Sequence, residues 1–168
     1  MRKLISCLLI LVVAVSCRIS YQFNGASIDY SKIKTLEIKD FQNQARLVYP
    51  QLSQEFSEHM RDVFLRNTKL QLVTNRVADL EIEGEIIGYD LMPLAVQDGQ
   101  FASQTRLTMT VRMRFHNNVN PQEDKEETFS AYQNFDSNVM LTDIEAQLVE
   151  ELNKEIVDQI FNATMANW

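Results

Sequence analysis

The chain has 168 residues, sixteen basic and twenty-three acidic, for a formal net charge of −7 at pH 7. That length fits one domain with a sizeable buried core. The acidity argues against nucleic acid as a partner and leaves room only for a local basic patch.

The first seventeen residues, MRKLISCLLILVVAVSC, open with Arg2 and Lys3, continue through an apolar run from Leu4 to Val15, and end in small residues before Cys17. Basic head, apolar core and small-residue exit make up a secretory signal. The run is short of the ~20 residues that span a bilayer. The segment resembles a bacterial lipoprotein signal, cleaved after residue 16, in which the Cys17 thiol takes a diacylglycerol and Cys17 becomes the N-terminus. Acylation suits a membrane anchor, since each buried CH₂ contributes ~0.8 kcal/mol and a single chain alone is marginal. The competing readings are a plain cleaved signal and an uncleaved anchor. Ala14 departs from the Leu more usual at its place in the lipoprotein pattern.

Losing residues 1–16 removes Arg2, Lys3 and Cys7, leaving fourteen basic against twenty-three acidic side chains, or −9. With Cys17 acylated, the mature domain has no thiol for a disulfide, a thiolate metal site or a nucleophile, so stability rests on packing. Its histidines are His59 and His116.

Residues 17–30 read as a lipidated tether ending in an irregular or short edge segment around Asn24-Gly25, and 31–168 as a single domain. Ile33, Leu36 and Ile38 sit among polar neighbours, and 35–41 reads as a strand. Pro50 suits the first turn of a helix. From it, Leu52, Phe56, Met60, Val63 and Phe64 recur at three and four residues as one apolar stripe, with His59 on its edge and Asn67-Thr68 at its end. The LQLV stretch at 70–73 is briefly extended.

LEIEGEIIGYD at 80–90 shows the clearest alternation: Leu80, Ile82, Gly84 and Ile86 face one way, Glu81, Glu83 and Glu85 the other. Gly84 on the buried face suggests close approach by a helix or a weak spot in the strand. RLTMTVRMRF at 106–115 puts Leu107, Met109, Val111, Met113 and Phe115 inward and Arg106, Thr108, Thr110, Arg112 and Arg114 outward. A polar turn at 118–126 leads to TFSAYQNF at 128–135.

Matched faces in antiparallel pairs constrain the register. Ile82 opposite Met113 and Leu80 opposite Phe115 satisfy the first pair, placing Glu83 by Arg112 and Glu81 by Arg114. Met113 opposite Ala131 and Phe115 opposite Phe129 satisfy the second. Thr142 with Glu145 three residues on forms a capping-box signature. Ile144, Leu148, Leu152, Ile156 and Ile160 then mark a long amphipathic helix reaching about Ala163, and Trp168 is expected to pack against the sheet or helix end. The expected architecture is α+β: a two-layer sandwich with two helices on one face of a mostly antiparallel sheet of about four strands. The outer sheet face is either solvated or covered by a partner.

The sequence holds no phosphate loop, nucleophile elbow or metal-ligand spacing, so an enzyme reading is weak and neither catalytic residue, metal nor cofactor is expected. The connection LMPLAVQDGQFAS at 91–103 is unusually apolar for an external loop, with Leu94, Val96 and Phe101 among its side chains. Either it folds back over an open edge of the core, or it meets a membrane partner or lipid. With Arg106, Arg112 and Arg114 nearby, it could hold an amphiphile bearing phosphate.

The ordered set FNGASI at 23–28, LVYPQLSQEFSEHMRDVFL at 47–65, DLEIEGEIIGY at 79–89, RLTMTVRMRF at 106–115, FSAYQNFDS at 129–137 and the closing helix resembles the LptE family of outer-membrane lipoproteins, in its Bacteroidota form. The resemblance covers nearly all of the mature domain. It implies a non-enzymatic protein on the periplasmic side of the outer membrane, plugging the LptD barrel, helping that barrel assemble and aiding lipopolysaccharide insertion at the cell surface. Lipopolysaccharide contact in the family suggests basic residues near one sheet end; Arg106, Arg112 and Arg114 are chosen by chemistry, with no motif fixing them. Arg18, Ile19 and Ser20 give no acidic run after Cys17, which in Bacteroidota lipoproteins resembles a surface-export signal, so the domain is expected to face the periplasm. The alternatives are a pilotin-like or other envelope-assembly lipoprotein without lipopolysaccharide contact, and an enzyme or solute-binding lipoprotein.

Overall fold

The structure is a computed structural model that describes residues 28–74, 76–94 and 103–166. The signal, Cys17, Val96, Phe101 and Trp168 lie outside the described residues. In chain order the elements are β1 (Thr35–Ile38), β2 (Gln42–Asn43), helix α1 (Leu52–Asn67), β3 (Gln71–Leu72), β4 (Leu80–Leu94), β5 (Gln104–Asn117), a short 3₁₀ turn (Pro121–Glu123), β6 (Lys125–Asp136) and helix α2 (Leu141–Phe161), which runs into a wide final turn, Asn162–Ala166.

The two helices pack on one face of a six-stranded open sheet in the order β3-β1-β4-β5-β6, with β2 also beside β4. Expectation gave about four strands and a mostly antiparallel sheet. The sheet is instead mixed, because β1 pairs parallel with both β3 and β4, and β2 parallel with β4. The two extra strands are two-residue pieces. One of them, β2, is in effect the continuation of β1 along the same edge of β4: the Lys39 N–H bonds Ile82 O and the Gln44 N–H bonds Ile86 O, both at 2.9 Å.

What interrupts that line is Phe41. Its ring is fully buried and meets the Phe56 ring edge-on, centroids 5.0 Å apart. Its N–H donates to Ser57 Oγ at 3.0 Å and its carbonyl accepts from Ser53 Oγ, so α1 satisfies both backbone groups that the strand break leaves unpaired. A Cβ on Gly84 would lie 2.4 Å from Phe41 Cε1 and 2.3 Å from Arg112 O. Gly84 thus admits a close approach, by an aromatic ring from the β1–β2 break, where the expectation was a helix or a weak spot in the strand.

The alternating faces of β4 and β5 are as read, and Glu81 and Arg114 share the outer face, but the register differs. Ile82 opposes Phe115 and Leu80 opposes Asn117, so Glu83 sits opposite Arg114, Glu85 opposite Arg112 and Glu81 opposite His116. The expected pairing was off by two residues. The second hairpin was off by four, since Ala131 opposes Met109 and Phe129 opposes Val111. Slips by an even number preserve every face, so face matching alone could not choose among them. The turn decides the first strand pair's end: Asn117, almost fully buried, receives the Val119 and Asn120 N–H groups on Oδ1, and its own N–H donates to Asp124 Oδ1 at 2.7 Å.

The β4–β5 ladder skips a residue between Ile86 and Gly88, leaving Ile87 as a bulge. The bulge reverses the alternation, so Ile86 and Tyr89, three apart, both point into the core. Beyond it the ladder runs on to Leu94, paired with Gln104. Leu91 to Leu94 are therefore strand, where a structureless connection was expected from residue 91.

On α1, Leu52, Phe56, Met60 and Phe64 are fully buried; on α2, Leu148, Val149, Leu152, Ile156, Val157 and Ile160 are buried. Phe64 and Phe161 meet edge-on at 5.1 Å, joining the helices. The capping box does not form: Met140 is the cap residue, Thr142 lies inside the first turn, and Glu145 accepts the Tyr89 hydroxyl instead. Among the described residues the core begins at Ile28, which is buried with the rest of the cluster.

Candidate functional site

The face of the sheet away from the helices is carried by alternate residues of β4, β5 and β6, and it divides into two chemically different halves. At one end Arg114 Nε donates to Glu83 Oε1 at 2.9 Å, and its Nη1 reaches Glu85 Oε1 at 3.3 Å. Lys39 lies 3.0 Å from Glu83 and 3.4 Å from Glu81. These cross-strand pairs form a closed network of three carboxylates and two cations. The Lys39 ammonium first, and Arg114 beside it, hold the Glu83 carboxyl below its ordinary value against the opposing effect of burial. Glu83 first, joined by Glu85 at Arg114 and by Glu81 at Lys39, raises both cations in turn.

At the other end the pattern changes. Arg106 stands opposite Met92 on one side and Asn134 on the other. Its guanidinium carbon lies 3.9 Å from the centre of the Tyr132 ring, and its Nε donates to Asn134 Oδ1 at 3.0 Å. Among the described residues Arg106 forms no ion pair. Stacking on an aromatic face orients a guanidinium while leaving its other N–H groups available. Around it, on the same face, Met92 is 63% exposed and Tyr132 52% exposed. The result is an apolar patch at the β4–β5 hairpin end with one oriented cation in it.

The structure therefore separates the residues singled out from sequence. Leu94, half-buried at the end of β4, and Arg106 lie at this hairpin end. Arg112 occupies the middle, 3.8 Å from Glu126. Arg114 belongs to the opposite, ion-paired half. Val96 and Phe101 follow Leu94 in the connection, outside the described residues. Sequence reading counted Met92 among the apolar side chains of the connection without placing it opposite Arg106, and it missed Tyr132. The signal for Tyr132 was present in its outward parity on β6, but its proximity to Arg106 depends on the second hairpin's register.

Among the described residues no group of three or more His, Cys, Asp or Glu side chains is placed to hold a metal ion, and no helix is long and apolar enough to cross a membrane. His116 Nδ1 lies 3.1 Å from Asp124 Oδ2 in the β5–β6 turn, and His59 lies on α1 beside α2.

Among solved structures the chain is similar to the hypothetical protein CT253 of Chlamydia trachomatis, with TM-score 0.53 and 13% identity over 80% of this chain and 99% of that one. It is similar also to a minor lipoprotein of Acinetobacter baumannii, at TM-score 0.52 and 13% identity over 80% and 94%. Lipoprotein B of Nitrosomonas europaea matches at TM-score 0.52 and 15% identity over 80% and 83%. At these identities the likeness is one of fold. No curated protein matches the chain significantly. The family model for lipopolysaccharide-assembly LptE proteins matches residues 33–164, from the strand before Phe41 to the last turn after α2, and the chain belongs to the LptE family.

Proposed function

We propose that this protein is the lipoprotein subunit of an outer-membrane lipopolysaccharide translocon, of the Bacteroidota form, anchored through Cys17 on the periplasmic side. It plugs an LptD-like barrel, helps that barrel assemble and aids lipopolysaccharide insertion. The observation that carries the reading is the family match over 132 of the 168 residues. The asymmetric outer sheet face supports it. An ion-paired half suits a polar barrel lumen, and an apolar end bearing Arg106 suits an amphiphile with phosphate groups, apolar surface meeting chains and guanidinium meeting phosphate. Arg106 thus becomes the leading cation, Arg112 a secondary one, and Arg114 a structural one; Leu94 joins the apolar end, and Val96 and Phe101, which follow it in sequence, are carried as its candidate contacts.

Conditional depletion of the protein tests this function. The expected result is loss of correctly folded barrel and retention of newly made lipopolysaccharide inside the cell. Normal barrel levels with normal surface lipopolysaccharide would refute it. The pilotin-like alternative predicts instead the loss of a secretin.

A further inference from the structure

A second feature lies on the helix layer, away from the sheet face. A groove of about 340 Å³ runs between α1 and α2, lined by Glu55 and His59, one turn apart on α1, and by Ala146, Glu150 and Asn153 on one stripe of α2. Asn153 is 4% exposed, yet its Oδ1 has no hydrogen-bond donor; the buried Nε2 of His59 likewise has no partner. Buried polar atoms are nearly always satisfied, and two unpartnered ones lining one groove make it a candidate site for a polar group.

The groove is also electrically one-sided. Glu145 and Glu55 accept the hydroxyls of Tyr89 and Tyr49 at 2.9 and 3.4 Å. Those are neutral donors. Among the described residues no lysine or arginine forms an ion pair with Glu55, Glu145 or Glu150. On the sheet face, by contrast, Glu81, Glu83 and Glu85 are all matched by Lys39 or Arg114. Burial first, then Glu55 and Glu145, raises the Tyr49 hydroxyl, as expected beside uncompensated negative charge.

We propose that this groove receives the guanidinium of an arginine side chain from a partner polypeptide. The acceptors offered are two carboxylates, the Asn153 carbonyl oxygen, and His59 Nε2 in the tautomer that carries its proton on Nδ1, beside one amide donor, the Asn153 nitrogen. A planar guanidinium presents five donors at once and is more weakly hydrated than an ammonium, so it meets acceptors on two facing walls. Exposed Ala146, having no side chain beyond Cβ, leaves the rim open to a side chain entering from outside.

The test is an NMR titration of the full chain in detergent micelles with N-acetyl-arginine methylamide, N-acetyl-lysine methylamide, putrescine and acetate. The chain has two histidines, so His116 serves as an internal reference. The arginine probe is expected to shift the His59 ring and the Asn153 side-chain amide saturably, leave His116 unmoved, and bind at least fivefold more tightly than the lysine probe or putrescine. Glu150→Gln, at an exposed position, should weaken it at least threefold, and Asn153→Leu should abolish it. If Asn153→Leu fails to fold, Glu150→Gln decides. No saturable shift, an equal response of His116, an equal or better response to lysine amide or putrescine, or an unchanged affinity in Glu150→Gln would each overturn the proposal. Because Glu150 is remote from the outer sheet face, failure here leaves the translocon reading standing.

Discussion

Tyr89, fully buried on the sheet's inner face, donates its hydroxyl to Glu145 on α2 at 2.9 Å. Burial, and next the Glu145 carboxylate, pushes the phenol well above its ordinary pKa, so it remains a donor at any physiological pH. The bond ties the far half of β4 to the first turns of α2, and it exists because the Ile87 bulge turns Tyr89 inward. Tyr89→Phe should lower stability by about 1 kcal/mol, since the half-buried Glu145 can still reach water. A double-mutant cycle with Glu145→Ala in urea should return a coupling of similar size.

Gly84 should be far less tolerant of change than its strand neighbours. Gly84→Ala drives a Cβ into the Phe41 ring and the Arg112 carbonyl, neither of which has room to retreat. Overpacking of this kind costs roughly 1–3 kcal/mol. Thermal unfolding would show it, and Phe41→Leu in the same chain should recover part of the loss.

Asp79 sets an acid limit on the parallel β1–β4 pair. Its Oδ2 accepts the Lys34 and Thr35 N–H groups at 2.8 and 2.9 Å, while the Asp79 N–H donates to Thr35 Oγ1 at 2.9 Å. The Lys34 N–H, first, and that of Thr35 hold the carboxyl below its ordinary value, against the opposing effect of burial. A folded-state pKa below the unfolded one means the unfolded chain binds the proton more readily. The stabilisation is therefore complete above the unfolded value of about 3.9 and is lost as pH falls through the lower folded value. Asp79→Asn should cost about 2 kcal/mol at neutral pH, with the cost shrinking below pH ~4, as urea titrations at several pH values would show.

The arginines of β5 should separate by phenotype. Arg106→Ala, Met92→Ser and serine replacements at Leu94, Val96 and Phe101 should reduce copurifying barrel while leaving the domain's melting temperature nearly unchanged. Arg114→Ala should instead lower the melting temperature, because it leaves Glu83 and Glu85 without their shared cation. Quantitative immunoblots of the purified complex, set beside thermal melts of each variant, check both halves.

Period-two alternation made the inner faces of β4 and β5 legible, and three-four spacing made both helix stripes legible. Register was not, because shifts of two or four residues keep Ile82, Met113 and Ala131 inward equally well; only the Asn117 turn and the Ile87 bulge choose among them. The strand break at Phe41 escaped notice because it depends on Ser53 and Ser57, twelve and sixteen residues on. Thr142 and Glu145 have the spacing of a capping box, but the helix starts two residues before Thr142 would cap it, with Met140 as the cap residue. At the candidate site, the arginines were visible as outward residues, whereas their division into ion-paired and stacked ones required Glu83, Lys39 and Tyr132 to be placed in space.

The most direct measurement of the central claim is a pull-down of the tagged lipoprotein from detergent-solubilised outer membrane, followed by mass spectrometry. A large LptD-like barrel should be recovered in stoichiometric amount. A purification that yields no such barrel, or yields a secretin in its place, would contradict the account.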